Sequence, residues 1–158
     1  GQSMDICECL EDEACGDGVD IVECDFKSPR IKGLYCNGSI GISSSIKTSE
    51  EKSCIIAEEL GHHHTSVGNI IDMSDTQNRK QERQARLWGY NRLIGLRGLI
   101  DAFEHGCQGR TETAEYLEVT EEYLQDCVDC YQEKYGIGTR VDNYYIMFIP
   151  CLSVGKLI

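Results

Sequence analysis

"IIAEELGHHHTSVG", residues 55–68, crowds two glutamates and three histidines into seven successive positions. At 100° per residue Ile56, Leu60 and Val67 share one narrow apolar stripe, which predicts a helix with its polar groups on the other side. Glu58, Glu59 and His62 occupy that polar side, with Cys54 and Gly61 nearby, while His63 falls at the stripe's edge. Glu58 with His62 and Glu59 with His63 are both i,i+4 pairs, the spacing that lets two side chains of one helix reach a single metal ion. Phase selects the constellation Glu58, Glu59 and His62, leaving His63 and His64 as flanking residues.

The neighbouring segments place this helix. Ile6, Leu10 and Ala14 recur every four residues, predicting a short helix that Gly16 and Gly18 end. "VDIVECDF" (19–26) alternates and reads as a strand. "RIKGLYC", Asn37-Gly38 and "SIGIS" form a hairpin signal, because Asn-Gly supplies the positive φ angles of a type I′ turn. Thr48 followed by Glu51 fits a capping box, so the quoted helix starts near Ser49 and runs to about Gly68. After the polar loop "DMSDTQ", helices are expected at 78–94, at "RGLIDAFEHG" ending on Gly106, and as a pair within 111–135. Thr120 caps the second of that pair and Gly136 stops it. The tail "NYYIMFIPCLSV" is expected to return as a strand.

A third ligand should come from the helix after the loop. Glu82 is the best candidate there, since Ala85 and Gly89 at i+3 and i+7 are small enough for close helix packing, and Gly61 offers the matching gap. Glu58, His62 and Glu82 would then hold a divalent metal with a position open for water. Glu59 would take the proton of that water as it attacks a carbonyl. This set is rich in carboxylates for zinc and widens the choice of metals. His63 or His64 would serve as ligand if the helix end unwinds, and a polar helix end with no chemistry is the plain alternative.

Composition narrows the functional classes. Twenty-seven acidic against 15 basic residues give a net charge of −12, a field that disfavours nucleic-acid binding. The basic run Arg79, Lys80, Arg83, Arg86, Arg92, Arg97 reads as a solvated helix face. No segment is long and apolar enough for a bilayer, and no secretory pattern opens the chain, so a cytoplasmic protein with no membrane partner is expected. The ten cysteines, including Cys24, Cys36, Cys54 and the Cys127-x-x-Cys130 pair, then read as reduced core thiols.

Several stretches together resemble one family. "IKGLYCNGSIGI", then Glu58-Glu59-Leu60-Gly61-His62, then Glu82-x-x-Ala85-x-x-Trp88-Gly89 resemble the ImmA/IrrE metallopeptidases of phages and mobile elements. Those proteins carry a "GLY" hairpin, H-E-x-G-H on one helix and E-x-x-A-x-x-[FW]-A on the next. "YYIMFIPCLSV" is similar to the final strand of phage-type members. The resemblance covers nearly the whole chain. It implies His62 and Glu82 as zinc ligands and Glu59 as general base, with Glu58 at the position of the family's first histidine. The implied activity is endoproteolysis of a repressor-like protein, inducing phage or mobile-element genes.

The expected fold is therefore α+β: a small antiparallel sheet packed on a zincin-like metal-site helix pair, then a helical subdomain and a C-terminal strand. The expected parts are a metallopeptidase core at 1–106, a helix-turn-helix-like subdomain at 107–137 and a strand at 138–158 returning to the core. Ala114, Leu117, Val119 and Leu124 are the packing positions of that helical pair. Its second helix carries Glu121, Glu122, Asp126, Asp129 and Glu133 against Lys134 alone, which favours protein docking or a structural role over DNA. A non-catalytic regulator on a degenerate protease scaffold is the second functional reading, motivated by Glu58. An exposed edge of the 31–42 hairpin would suit strand addition by an extended peptide.

Overall fold

The computed structural model describes residues 5–65 and 75–157, with residues 75–78 as backbone only. The chain divides into two compact units, Gly1–Gly89 and Tyr90–Ile158. Six helices and six strands are present among the described residues, an α+β composition.

The first unit holds α1 (Ile6–Gly16), β1 (Asp20–Cys24), β2 (Gly33–Cys36), β3 (Ser39–Ser43), α2 (Ser49–Thr65) and most of α3 (Asp75–Leu93). The β2–β3 hairpin forms as expected, with Asn37 at φ 48° and Gly38 at φ 80°, the left-handed values a type I′ turn requires. β1 adds to the other side of β3, and it runs parallel, Asp20 opposite Ser39 through Cys24 opposite Ser43. The sheet is thus mixed, in the order β1-β3-β2, where a purely antiparallel sheet was expected. The reason lies in β3: Ile40, Gly41, Ile42 and Ser43 are all buried, so this strand takes the centre and the other two become edges.

Thr48 starts α2 as a cap, its hydroxyl accepting from the Glu51 N–H at 3.2 Å. Leu10 of α1, Ile40 of β3 and Ile56 and Leu60 of α2 are fully buried. Each such side chain stabilises the fold by roughly 1.5–3 kcal/mol. α2 packs on α1, β2 and β3, and its buried surface is broader than one stripe, since Cys54, Ala57 and Gly61 are also covered. Val67 and Gly68, expected at the end of stripe and helix, lie outside the described residues. α3 begins at Asp75, three residues before the expected Asn78.

The second unit contains α4 (Gly95–Glu104), α5 (Gly109–Leu117), α6 (Glu121–Tyr135), β4 (Gly138–Val141), β5 (Tyr144–Met147) and β6 (Ser153–Lys156). Thr120 caps α6, accepting from the Tyr123 N–H at 3.1 Å. Of the expected packing positions Ala114, Val119 and Leu124 are buried and Leu117 is half-buried. β4, β5 and β6 make an antiparallel sheet of their own, anchored by buried Ile146 and by Phe148, whose ring meets Tyr131 at 6.2 Å. This arrangement differs from the expected parts 1–106, 107–137 and 138–158: the tail pairs within its own sheet, and the single division falls inside α3. All ten cysteines are free thiols. Cys54 and Cys127 are buried, and burial pushes the Cys127 thiol well up, whereas Cys36 is exposed, against expectation.

Candidate metal centre

Helices α2 and α3 come close together at Gly61. A Cβ on that residue would lie 2.1 Å from the Ala85 carbonyl oxygen and 3.0 Å from the Ala85 Cα. Only a residue without a side chain allows this crossing, as the spacing of Gly61 and Ala85 suggested. One turn before Ala85, the crossing brings Glu82 to α2, where its Oε2 stands 3.1 Å from His62 Nε2.

One ligand atom from each of Glu58, His62 and Glu82 lies within 4.8 Å of the other two. Two ligands of a tetrahedral zinc, each at about 2.0–2.1 Å, sit about 3.3 Å apart. His62 and Glu82, at 3.1 Å, are close to that separation, and a Glu58 ligand atom lies within 4.8 Å of both. Two carboxylates and one imidazole therefore fit a divalent ion, zinc or a harder neighbour.

The electrostatics fit the same conclusion. Glu58 is pushed up to about 7, first by burial, then by its hydrogen bond to Glu82 and by that residue's charge. The hydrogen bond donated by His62 holds Glu82 down at about 2, and the same contact raises His62. Glu58 is thus held towards its protonated form beside an ionised Glu82, an arrangement that a bound cation would reverse.

Glu59, only 9% exposed, lies beside this set. Burial raises its carboxyl, while the charge of His62 and a hydrogen bond from the Tyr35 N–H act in the opposite direction. That N–H belongs to β2, the edge strand of the sheet. Lys32, just before β2, accepts from the Ser43 N–H at 2.8 Å. In an antiparallel ladder the alternate residues then face outward, so Gly33 and Tyr35 turn their backbone groups to the open edge. The Glu59 carboxylate sits there too, 3.5 Å from where a Cβ of Gly33 would be.

Two participants escaped the sequence reading. Arg86 Nε stands 3.3 Å from Glu58 Oε1 and 3.4 Å from Glu82 Oε1, a cation between the two carboxylates. Its i+4 spacing from Glu82 was the available signal, hidden within a basic run. Tyr35 reaches Glu59 through its backbone and His63 through its hydroxyl, 2.7 Å from Nδ1. No local pattern announces a contact made through a hairpin. His63 and His64 do not join Glu58, His62 and Glu82; they gather with Asp17 instead.

Comparison with known families gives one finding. The sequence profile of a peptidase family, Peptidase M78, described as the IrrE N-terminal-like domain, matches residues 16–126. The span includes Tyr35, Glu58, Glu59, His62, Glu82 and Arg86. No curated protein and no solved structure matches the chain. Among the described residues no helix is long and apolar enough to cross a membrane.

Proposed function

Because the chain belongs to the IrrE N-terminal-like family of M78 peptidases, we propose that it is a zinc-dependent endopeptidase acting on a repressor-like protein. In this reading it works in the cytoplasm and controls phage or mobile-element genes by cutting that regulator. The observation that carries the proposal is the meeting of Glu58, His62 and Glu82 beside buried Glu59 at an open strand edge. The repressor-like substrate rests on the resemblance of the hairpin, the two helical motifs and the tail.

Glu58, His62 and Glu82 would hold the ion, which when bound supplies Lewis acidity to the scissile carbonyl. The remaining work falls to the chain. An extended peptide adds to the outer edge of β2, bonding to the outward backbone groups of Gly33 and to the Tyr35 carbonyl. Strand addition draws the peptide past Glu59. Glu59 would take a proton from the water as its oxygen adds to the scissile carbonyl and return that proton to the amine as the C–N bond breaks. Its raised carboxyl pKa brings the base closer to neutral pH, where general-base catalysis is most effective. The Tyr35 N–H faces the Glu59 carboxyl from the β2 edge and favours its ionised form. His62, held at 3.1 Å by Glu82, is oriented by the same contact that keeps Glu82 ionised.

The test combines metal analysis with cleavage. Protein purified without added metal should retain about one zinc per chain, lost on substituting His62 or Glu82. Glu59→Gln should keep fold and zinc yet cut a co-expressed repressor at least about 100-fold more slowly. Undiminished cutting by Glu59→Gln overturns the assigned mechanism. A wild-type protein that binds the regulator, carries no metal and never cuts it would instead be the non-catalytic regulator.

A further inference from the structure

The end of α2 carries a second group of metal-ligating side chains that the endopeptidase reading does not use. His63 and His64 meet Asp17, the residue that follows α1, with one ligand atom of each within 4.8 Å of the others. We propose that Asp17, His63 and His64 form a second metal site, selective for imidazole-binding divalent ions such as nickel, cobalt or zinc.

The contacts hold these groups in a ligating arrangement. His64 Nε2 stands 3.2 Å from Asp17 Oδ2, close to the roughly 3.3 Å between two ligands of a tetrahedral ion. The His64 ring is stacked on Trp88 of α3, centroids 4.7 Å apart and planes 22° from parallel. That stacking fixes its orientation while a third of the side chain stays open to solvent. His63 is fixed separately. The Tyr35 hydroxyl lies 2.7 Å from its Nδ1, the outer contact that commonly orients a ligating imidazole and leaves the other nitrogen for metal. The two histidine rings are edge to face, with centroids 5.1 Å apart.

The donor chemistry separates the two sets. Two imidazoles and one carboxylate favour nickel, cobalt, copper and zinc over magnesium or calcium, which prefer all-oxygen shells. Glu58, His62 and Glu82 supply the opposite balance. An ion at Asp17, His63 and His64 would tie the end of α1 to the end of α2, reinforcing the 3.2 Å contact of His64 with Asp17. Tyr35 adjoins both sets, with its hydroxyl at His63 and its N–H at Glu59.

Trp88 is the only tryptophan in the chain, so it reports on its neighbour His64 directly. The experiment uses the full chain carrying His62→Asn and Glu82→Gln, which disables the first set and makes the outcome independent of peptidase activity. Nickel and cobalt are titrated while Trp88 emission and circular dichroism are recorded. Saturable quenching at one equivalent is expected, with none for magnesium. Adding Asp17→Asn and His63→Gln should weaken it at least about tenfold with the helical signal intact, and Tyr35→Phe should weaken it by about tenfold. His64 is left untouched so that the stacking on Trp88 persists. No quenching in the His62→Asn, Glu82→Gln protein, or quenching unchanged by Asp17→Asn and His63→Gln, overturns the site. So does a near-ultraviolet thiolate-to-cobalt band, which would put the ion on cysteine.

Discussion

Gly61→Ala separates the local preference of a helix from the demands of the α2–α3 crossing. In an open helix interior this substitution stabilises by about 1 kcal/mol, because alanine loses less backbone entropy. Here the new methyl would lie 2.1 Å from the Ala85 carbonyl oxygen and 2.8 Å from its carbon. Carbon and oxygen approach no closer than about 3.3 Å in favourable contacts, so α3 must retreat by about 1 Å. The obstacle is backbone and cannot rotate aside. Overpacking costs about 1–3 kcal/mol, and a main-chain clash belongs at the upper end, leaving a net loss of about 2 kcal/mol. A thermal melt should therefore fall by roughly 4–8 °C. Glu82 rides on the same helix, and retreat stretches its 3.1 Å contact with His62, so zinc affinity should fall at least about tenfold. Gly98→Ala is the control. Its methyl meets only the Leu117 Cδ2 at 3.4 Å and the Ile94 Cγ2 at 3.8 Å, so it should stabilise by about 0.5–1 kcal/mol. Gly61→Ala protein as stable as wild type, with unchanged zinc binding, would refute the argument.

Glu58→His puts a second imidazole into the first set and should raise zinc affinity at least about tenfold against a chelating dye; unchanged affinity would remove residue 58 from the ligand set. The folded protein keeps a proton on Glu58 up to about pH 7, while the unfolded chain releases it near 4.5. That contribution to stability is complete below pH 4.5 and disappears as pH rises through 7. Glu82, held at about 2, behaves oppositely and loses its contribution only as pH falls from 4.5 through 2. In chelator-treated protein Glu58→Gln should therefore gain on wild type between pH 5.5 and 8, by about 1 kcal/mol after allowing for solvent screening; a constant difference in urea midpoints would contradict it. Thr120→Ala removes the cap that accepts from Tyr123 and should cost about 1 kcal/mol, an unshifted urea midpoint being the contrary result.

What the sequence disclosed about this fold depended on whether the determinant was local. Asn37-Gly38 carries its turn in two residues, and Thr48 with Glu51 carries the start of α2 in four. The meeting of α2 with α3 was also legible, since Gly61, Ala85 and Glu82 each reveal their part by size or charge at helical spacing. The parallel pairing of β1 with β3 was not. Alternation in 19–26 identifies a strand, but its partner and direction follow from burying both faces of β3, a tertiary effect. β4 stayed hidden because Gly138, Thr139 and Arg140 lack an apolar alternation. His63 and His64 were read as flanking residues because helical phase describes one helix, whereas their partners Asp17, Tyr35 and Trp88 come from three other elements. The division within α3 is equally silent in the sequence, since the helix runs through it without a break.

The glutamate at position 58 changes the chemistry of the set in two opposed ways. It replaces a neutral nitrogen donor, as the resemblance would have it, with a charged oxygen, which lowers the preference for zinc over harder ions. It also adds a negative charge beside Glu59 and Glu82, which strengthens attraction for any dication. The surrounding groups bear the mark of the second effect. Arg86 stands between Glu58 and Glu82, burial and Glu82 raise Glu58 towards its protonated form, and His62 is raised by Glu82. A dication held by these residues would displace protons from Glu58 and His62 and take over the role of the guanidinium. In the proposed metal centre selectivity would therefore weaken while dependence on a cation grows, so Glu58 would alter which metal is accepted more than whether one is required.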